Sequence, residues 1–146
     1  MSTKAELFQA YLDEKELKMF SRQDMKDEMN TAVFRTAFGV DGQNVPAVIV
    51  VDDSAFCMVQ VHLAANALTD DNRVKMFETM NTWNAGLKPF KFIVDSHNNL
   101  VMVCCLLNAD GQMDGDKVNA MMNTILSLKY KSPIMLCLML KYYLHF

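Results

Sequence analysis

The residues of this 146-residue chain that could do chemistry are three histidines, four cysteines and a few acidic pairs. His62, His97 and His145 fall in a strand-like run, in a turn and near the C-terminus. None has a nucleophile or a metal ligand at a spacing that would place the two within hydrogen-bond reach. The serines lie outside any GxSxG elbow, and five glycines form no phosphate-cradling loop. Asp52 and Asp53 sit in a hairpin turn, and Asp70 and Asp71 open a helix. Aspartates are favoured at both places for backbone reasons, as turn formers and as partners of the helix dipole. The expectation is a chain with no catalytic residues, not an enzyme.

Two patterns bear on metals. The run from Asp110 through Gln112, Asp114, Gly115 and Asp116 to Val118 resembles the first two-thirds of a calcium-binding helix–loop–helix. Position twelve, which should supply a bidentate Glu, is Met121, and a strand-like run stands where the entering helix belongs. Either the loop holds a cation or it caps the helix that follows; the second reading is the expectation, with no metal and no cofactor. The cysteines are Cys57, Cys104, Cys105 and Cys137, without a CxxC pair. Cys104 and Cys105 are adjacent in a strand-like run and so point to opposite faces. Reduced, mostly buried thiols of a cytoplasmic protein are expected, a redox or metal site being the rival.

Polar residues on an apolar helix face raise a further question. Met76, Met80, Trp83 and Leu87 share one side of a helix, with Val74 and Phe77 beside them. Asn81 and Asn84 project within this arc or at its edge. A buried carboxamide without partners costs about 1–3 kcal/mol, so both are expected to be hydrogen-bonded. Their partners would be backbone groups of a neighbouring strand or of the turn around Gly86–Pro89. The rival role is recognition of a partner's backbone.

The elements that must position these residues follow from periodicity. Thr3 and Glu6 have capping-box spacing at the start of a helix over residues 3–17. Leu17–Phe20 reads as a short extended piece and residues 21–30 as a polar connector. Three strands follow, Thr31–Val40, Val45–Val51 and Ala55–Leu63, joined by turns at Asp41-Gly42 and Asp52-Asp53-Ser54. A helix over Asn72–Ala85 stops at Gly86 before Pro89. Phe90–Val94 and Leu100–Leu107 are strands, the second apolar on both faces and therefore central. A helix over Asp116–Tyr130 precedes Ser132-Pro133, and Ile134–Phe146 is expected to be helical and apolar nearly all round. The order α-βββ-α-ββ-α predicts one α+β domain over residues 1–146, a five-stranded antiparallel sheet with helices on one face.

Composition excludes some classes. The hydrophobic fraction is 51%, the charged fraction 21% and the net charge −3, with both signs spread along the chain. Disorder and non-specific nucleic-acid binding are disfavoured. The N-terminal residues show no secretory h-region, and no apolar run reaches the roughly 18 residues of a membrane span. Thirteen methionines suit either a soft core or an adaptable contact surface.

The helix end "MNTWN" followed by "FKFIVDSHNNLVMVCCLL" resembles the YbjN-domain family over residues 4–130. The matching residues are Asn81, Asn84, Phe90, Phe92, Asp95, Leu100 and Val101. The resemblance implies a type III secretion chaperone-like fold and a chaperone-like or sensory-transduction regulatory role, with no catalytic residues to carry over. It also implies a homodimer, with Met76, Met80 and Trp83 as interface candidates. The apolar C-terminal segment, through Ile134, Leu138, Met139 and Tyr142, is the other candidate contact surface. The function expected is a non-catalytic interaction domain that binds a protein partner; the alternative is a small-ligand sensory module with a pocket between sheet and helices.

Overall fold

The computed structural model describes residues 3–40, 42–109 and 111–131. Three helices and six strands follow in chain order as α1 (Lys4–Glu14), β1 (Ser21–Asp24), β2 (Ala32–Val40), β3 (Gln43–Val51), β4 (Phe56–Ala64), α2 (Arg73–Gly86), β5 (Phe90–Val94), β6 (Leu100–Leu107) and α3 (Gly115–Lys131). The strands form one antiparallel sheet in the order β1-β2-β3-β4-β6-β5. The helical segment expected at Ile134–Phe146, with Ile134, Leu138, Met139 and Tyr142, lies outside the described residues.

The sheet thus has six strands, not five. The addition is β1, which falls in the stretch expected to be a polar connector. All four of its residues are exposed, so no apolar alternation marks it in the sequence. Its ladder to β2 holds it, with Arg22 opposite Phe34 and Asp24 opposite Ala32. Arg22 also lays its guanidinium over the Phe34 ring, 5.7 Å from the centroid. Such a contact contributes about 0.5–1 kcal/mol at an exposed site.

Side chains alternate across a sheet, and here the alternation sorts the chain into two faces. Phe34, Ile49, Val59 and Cys104 lie in register on four neighbouring strands, and all are buried. The next row, Ala47, Val61, Met102 and Phe92, is buried as well. The three described helices cover this inner face. Phe8 of α1 meets Phe34 edge-on with ring centroids 4.9 Å apart, and Trp83 of α2 meets Phe92 at 5.5 Å. Val118, Met122 and Ile125 of α3 complete the core. Burying each such side chain contributes about 1.5–3 kcal/mol.

Polar contacts fix the helices to the strands. The Thr3–Glu6 capping box forms at the start of α1. The buried Lys4 ammonium donates to the Ser54 carbonyl in the β3–β4 turn. Tyr11 Oη hydrogen-bonds Asp116 at 3.2 Å, joining α1 to α3. Gly115 opens α3 directly beneath the Tyr11 ring, where any Cβ would overlap the ring carbons.

That contact is a sensitive point of the packing. Gly115→Ala is expected to destabilise the fold by about 1–3 kcal/mol through overpacking, read as a lower urea midpoint at unchanged slope. Combined with Tyr11→Ala, the second substitution should cost less than it does alone, as coupled neighbours do.

Candidate functional site

The Asn84 carboxamide is the most specific polar contact between a helix and the sheet. Its Nδ2 donates to the Phe92 carbonyl at 3.0 Å, and the Phe92 N–H donates to its Oδ1 at 2.7 Å. Phe92 is on β5, an edge strand, and both groups would otherwise face outward from the sheet. Asn84 thus takes the place of a further strand. Lys91 folds over the same edge, its ammonium donating to the Asn84 and Leu87 carbonyls. The opposite edge, β1, is four residues long and carries Arg22 and Asp24. Short, charged or capped edges resist pairing with other chains.

Asn81 lies elsewhere. It is exposed and shares a flank of α2 with Val74 and Phe77, which are 71% and 45% exposed. Met76 and Met80, expected as contact residues, point into the chain's own core, and Trp83 is half-buried against Phe92. The buried stripe of α2 is narrower than the apolar arc of its sequence because the helix rides on the edge strand β5. Its apolar flank is therefore left outside.

Around the β5–β6 turn, Asp95 accepts from the His97 and Asn99 N–H groups and from Asn99 Nδ2, each at 2.9 Å. Burial pushes its pKa up, but these hydrogen bonds and the nearby His62 outweigh that and hold it below the usual carboxylate range. His62 Nδ1 is 3.9 Å from Asp95 Oδ2, and His97 Nδ1 is 3.3 Å from the Ser96 hydroxyl. Asn98 takes a left-handed conformation at φ 62°, as a tight turn requires. The arrangement shapes a turn, with the carboxylate saturated by donors.

Asp114 accepts from the Lys117 N–H at 3.0 Å at the start of α3. That hydrogen bond and the Lys117 charge keep its pKa low. Asp116 is engaged by Tyr11, and Asp110 lies outside the described residues. Among the described residues no three His, Cys, Asp or Glu side chains converge on one point. A broad groove of about 700 Å³ runs beside this loop, lined by Tyr11, Asn108, Gln112 and Lys117 among others. Asn108 is buried, its Oδ1 accepting from the Asp114 N–H while its Nδ2 has no partner. Between α1, α3 and the sheet, around Phe8, Leu12, Ile49 and Met122, essentially no free volume is left.

The outer face of the sheet carries none of the described helices. Its rows are Val33, Val50, Met58 and Cys105, then Arg35, Val48, Gln60, Val103 and Lys91. Val101 lies beyond, flanked in register by His62 and Ile93. At one end stand Phe56 and Leu107, paired in register and 55% and 73% exposed. The expected placement of the helices on one side of the sheet leaves this face, and the apolar residues at the alternate positions of β3, β4 and β6 compose it. Among the described residues no helix is long and apolar enough to cross a membrane. No protein-family model matches the chain, and no curated protein matches it.

Three measurements follow from these contacts. Asn84→Ala should destabilise the fold by about 1–3 kcal/mol and remove hydrogen-exchange protection at the Phe92 amide, whereas Asn81→Ala should stay within about 0.5 kcal/mol. The depressed Asp95 pKa adds stability that is present above the unfolded-state value near 4 and lost as pH falls through the lower folded value. Acid unfolding of Asp95→Asn should lack that part of the pH dependence. Burial pushes the Cys57 thiol up to about 12 and raises Cys104 as well, so both should alkylate only on unfolding, as peptide mapping would read.

Proposed function

We propose that this chain is a non-catalytic, chaperone-like interaction domain that works as a homodimer in the cytoplasm and binds a protein partner. The observation that carries the reading is the set of large apolar side chains left in solvent. Met19, Met25 and Met29 flank β1, Val74 and Phe77 lie on α2, and Phe56, Ile93 and Leu107 lie on the outer sheet face, all at least 38% exposed. Apolar surface gathered in patches, with unbranched methionines among it, suits adaptable protein contacts. The resemblance to the YbjN-domain family points the same way. The cytoplasmic placement rests on the free thiols of Cys57, Cys104 and Cys105.

A small-ligand regulatory module is the second reading. The groove beside Tyr11 favours it, being of ligand size and lined by the polar side chains of Asn108, Gln112 and Lys117. The two readings separate in one pair of experiments. The first expects the protein, at stoichiometric ratio, to suppress light scattering from a thermally unfolding reporter protein. It also expects Val74→Glu with Phe77→Glu to weaken that suppression. No suppression by the wild-type protein would defeat the chaperone-like reading. A metabolite that raises the melting temperature in a concentration-dependent way would favour the second.

A further inference from the structure

We infer that the outer face of the sheet is the surface on which a second copy of this chain packs, sheet against sheet. The inference rests on the homodimer of the proposed function and gives it an interface. Six strands at the usual spacing, with central strands of eight or nine residues, present a face of about 25 Å by 25 Å. Packed on a copy, it buries about 500–600 Å² per subunit, so about 1,000–1,200 Å² in all, at the lower end of what specific complexes need.

The chemistry of the face selects the partner. Val48, Val50, Met58, Val103 and Cys105 occupy its centre, and the one polar residue among them, Gln60, turns its Nε2 to the Met58 sulfur at 3.0 Å. The nearest full charges, Arg35 and Lys91, lie on β2 and β5, to either side of the centre, and both are engaged within the chain. An uncharged centre gives a foreign partner no sign to complement. It fits another uncharged sheet of the same twist, which the chain itself supplies, in the aligned packing that sheets adopt about 10 Å apart. The edges reinforce this choice. With the middle of β5 capped by Asn84 and β1 short and charged, joining two copies strand to strand is disfavoured. A face-to-face contact related by a twofold axis then uses the outer face of both copies and closes at two.

The test uses the full chain and light scattering at micromolar concentration. The wild type should have twice the 16.6 kDa chain mass. Val103→Glu and Cys105→Arg each place a charge at the centre of the face and should raise the dimer dissociation constant by about 100-fold or more, with circular dichroism unchanged. Val74→Glu with Phe77→Glu, on α2, should stay dimeric. Alkylation of Cys105 in the wild type should slow as protein concentration rises. Central charges that leave a dimer intact, or α2 charges that break it, would overturn this interface but not the dimer. A wild-type monomer would overturn both. In that case Cys105 protected at every dilution would assign the face to residues 132–146, and Cys105 reactive at every dilution would leave it to another protein. Loss of reporter suppression is a separate readout, so the chaperone-like reading stands or falls independently.

Discussion

The three described helices lie on the same side of the sheet, and most of the molecule follows from that constraint. A strand offers its side chains alternately to two faces, and one face of this sheet takes Phe8, Trp83 and the apolar stripe of α3. The Phe8–Phe34 contact is one anchor of that burial, because it holds the first helix against the second strand. Arg22 lies over the same ring. The strand β1, which buries nothing of its own, is drawn into the sheet as a lid on Phe34. What the helices do not cover must be held by the strands themselves, and the β-branched residues of β3 and β6 are suited to a surface of that kind.

The polar groups serve the same geometry. Asn84 completes the backbone of the last strand where the sheet stops. Asp95 gathers the N–H groups of the turn that joins β5 to β6, and Asp114 does so at the start of α3. Asp52, Asp95 and Asp114 each accept from backbone N–H groups of the turn or helix start in which they stand. Large apolar side chains, Phe56 and Leu107 among them, lie outside the core.

Much of this was legible in the residues. The β-branched run Val45–Val51 marks β3, and the two short turns mark the antiparallel meander. The place of Asn84 on the apolar arc of its helix indicates a carboxamide that must find backbone partners. Two features were not legible, for physical reasons. β1 has no buried residue, so periodicity cannot mark it, and only the ladder to β2 reveals it. Asn81 and Met76 depend on which arc of α2 faces inward, and apolar residues on both sides of that helix hide the answer. The outer face is legible in outline, because helices expected on one side leave the other side of the sheet uncovered and β6 is apolar on both faces.

The Asn84 clamp has a kinetic side. Asn84 and Phe92 are eight residues apart, whereas Tyr11 and Asp116 are separated by 105. Closing a short loop costs far less chain entropy than closing a long one, and it happens sooner. The edge that would be the readiest template for a wrong partner is therefore sealed by a contact within one short loop, at little cost in chain entropy.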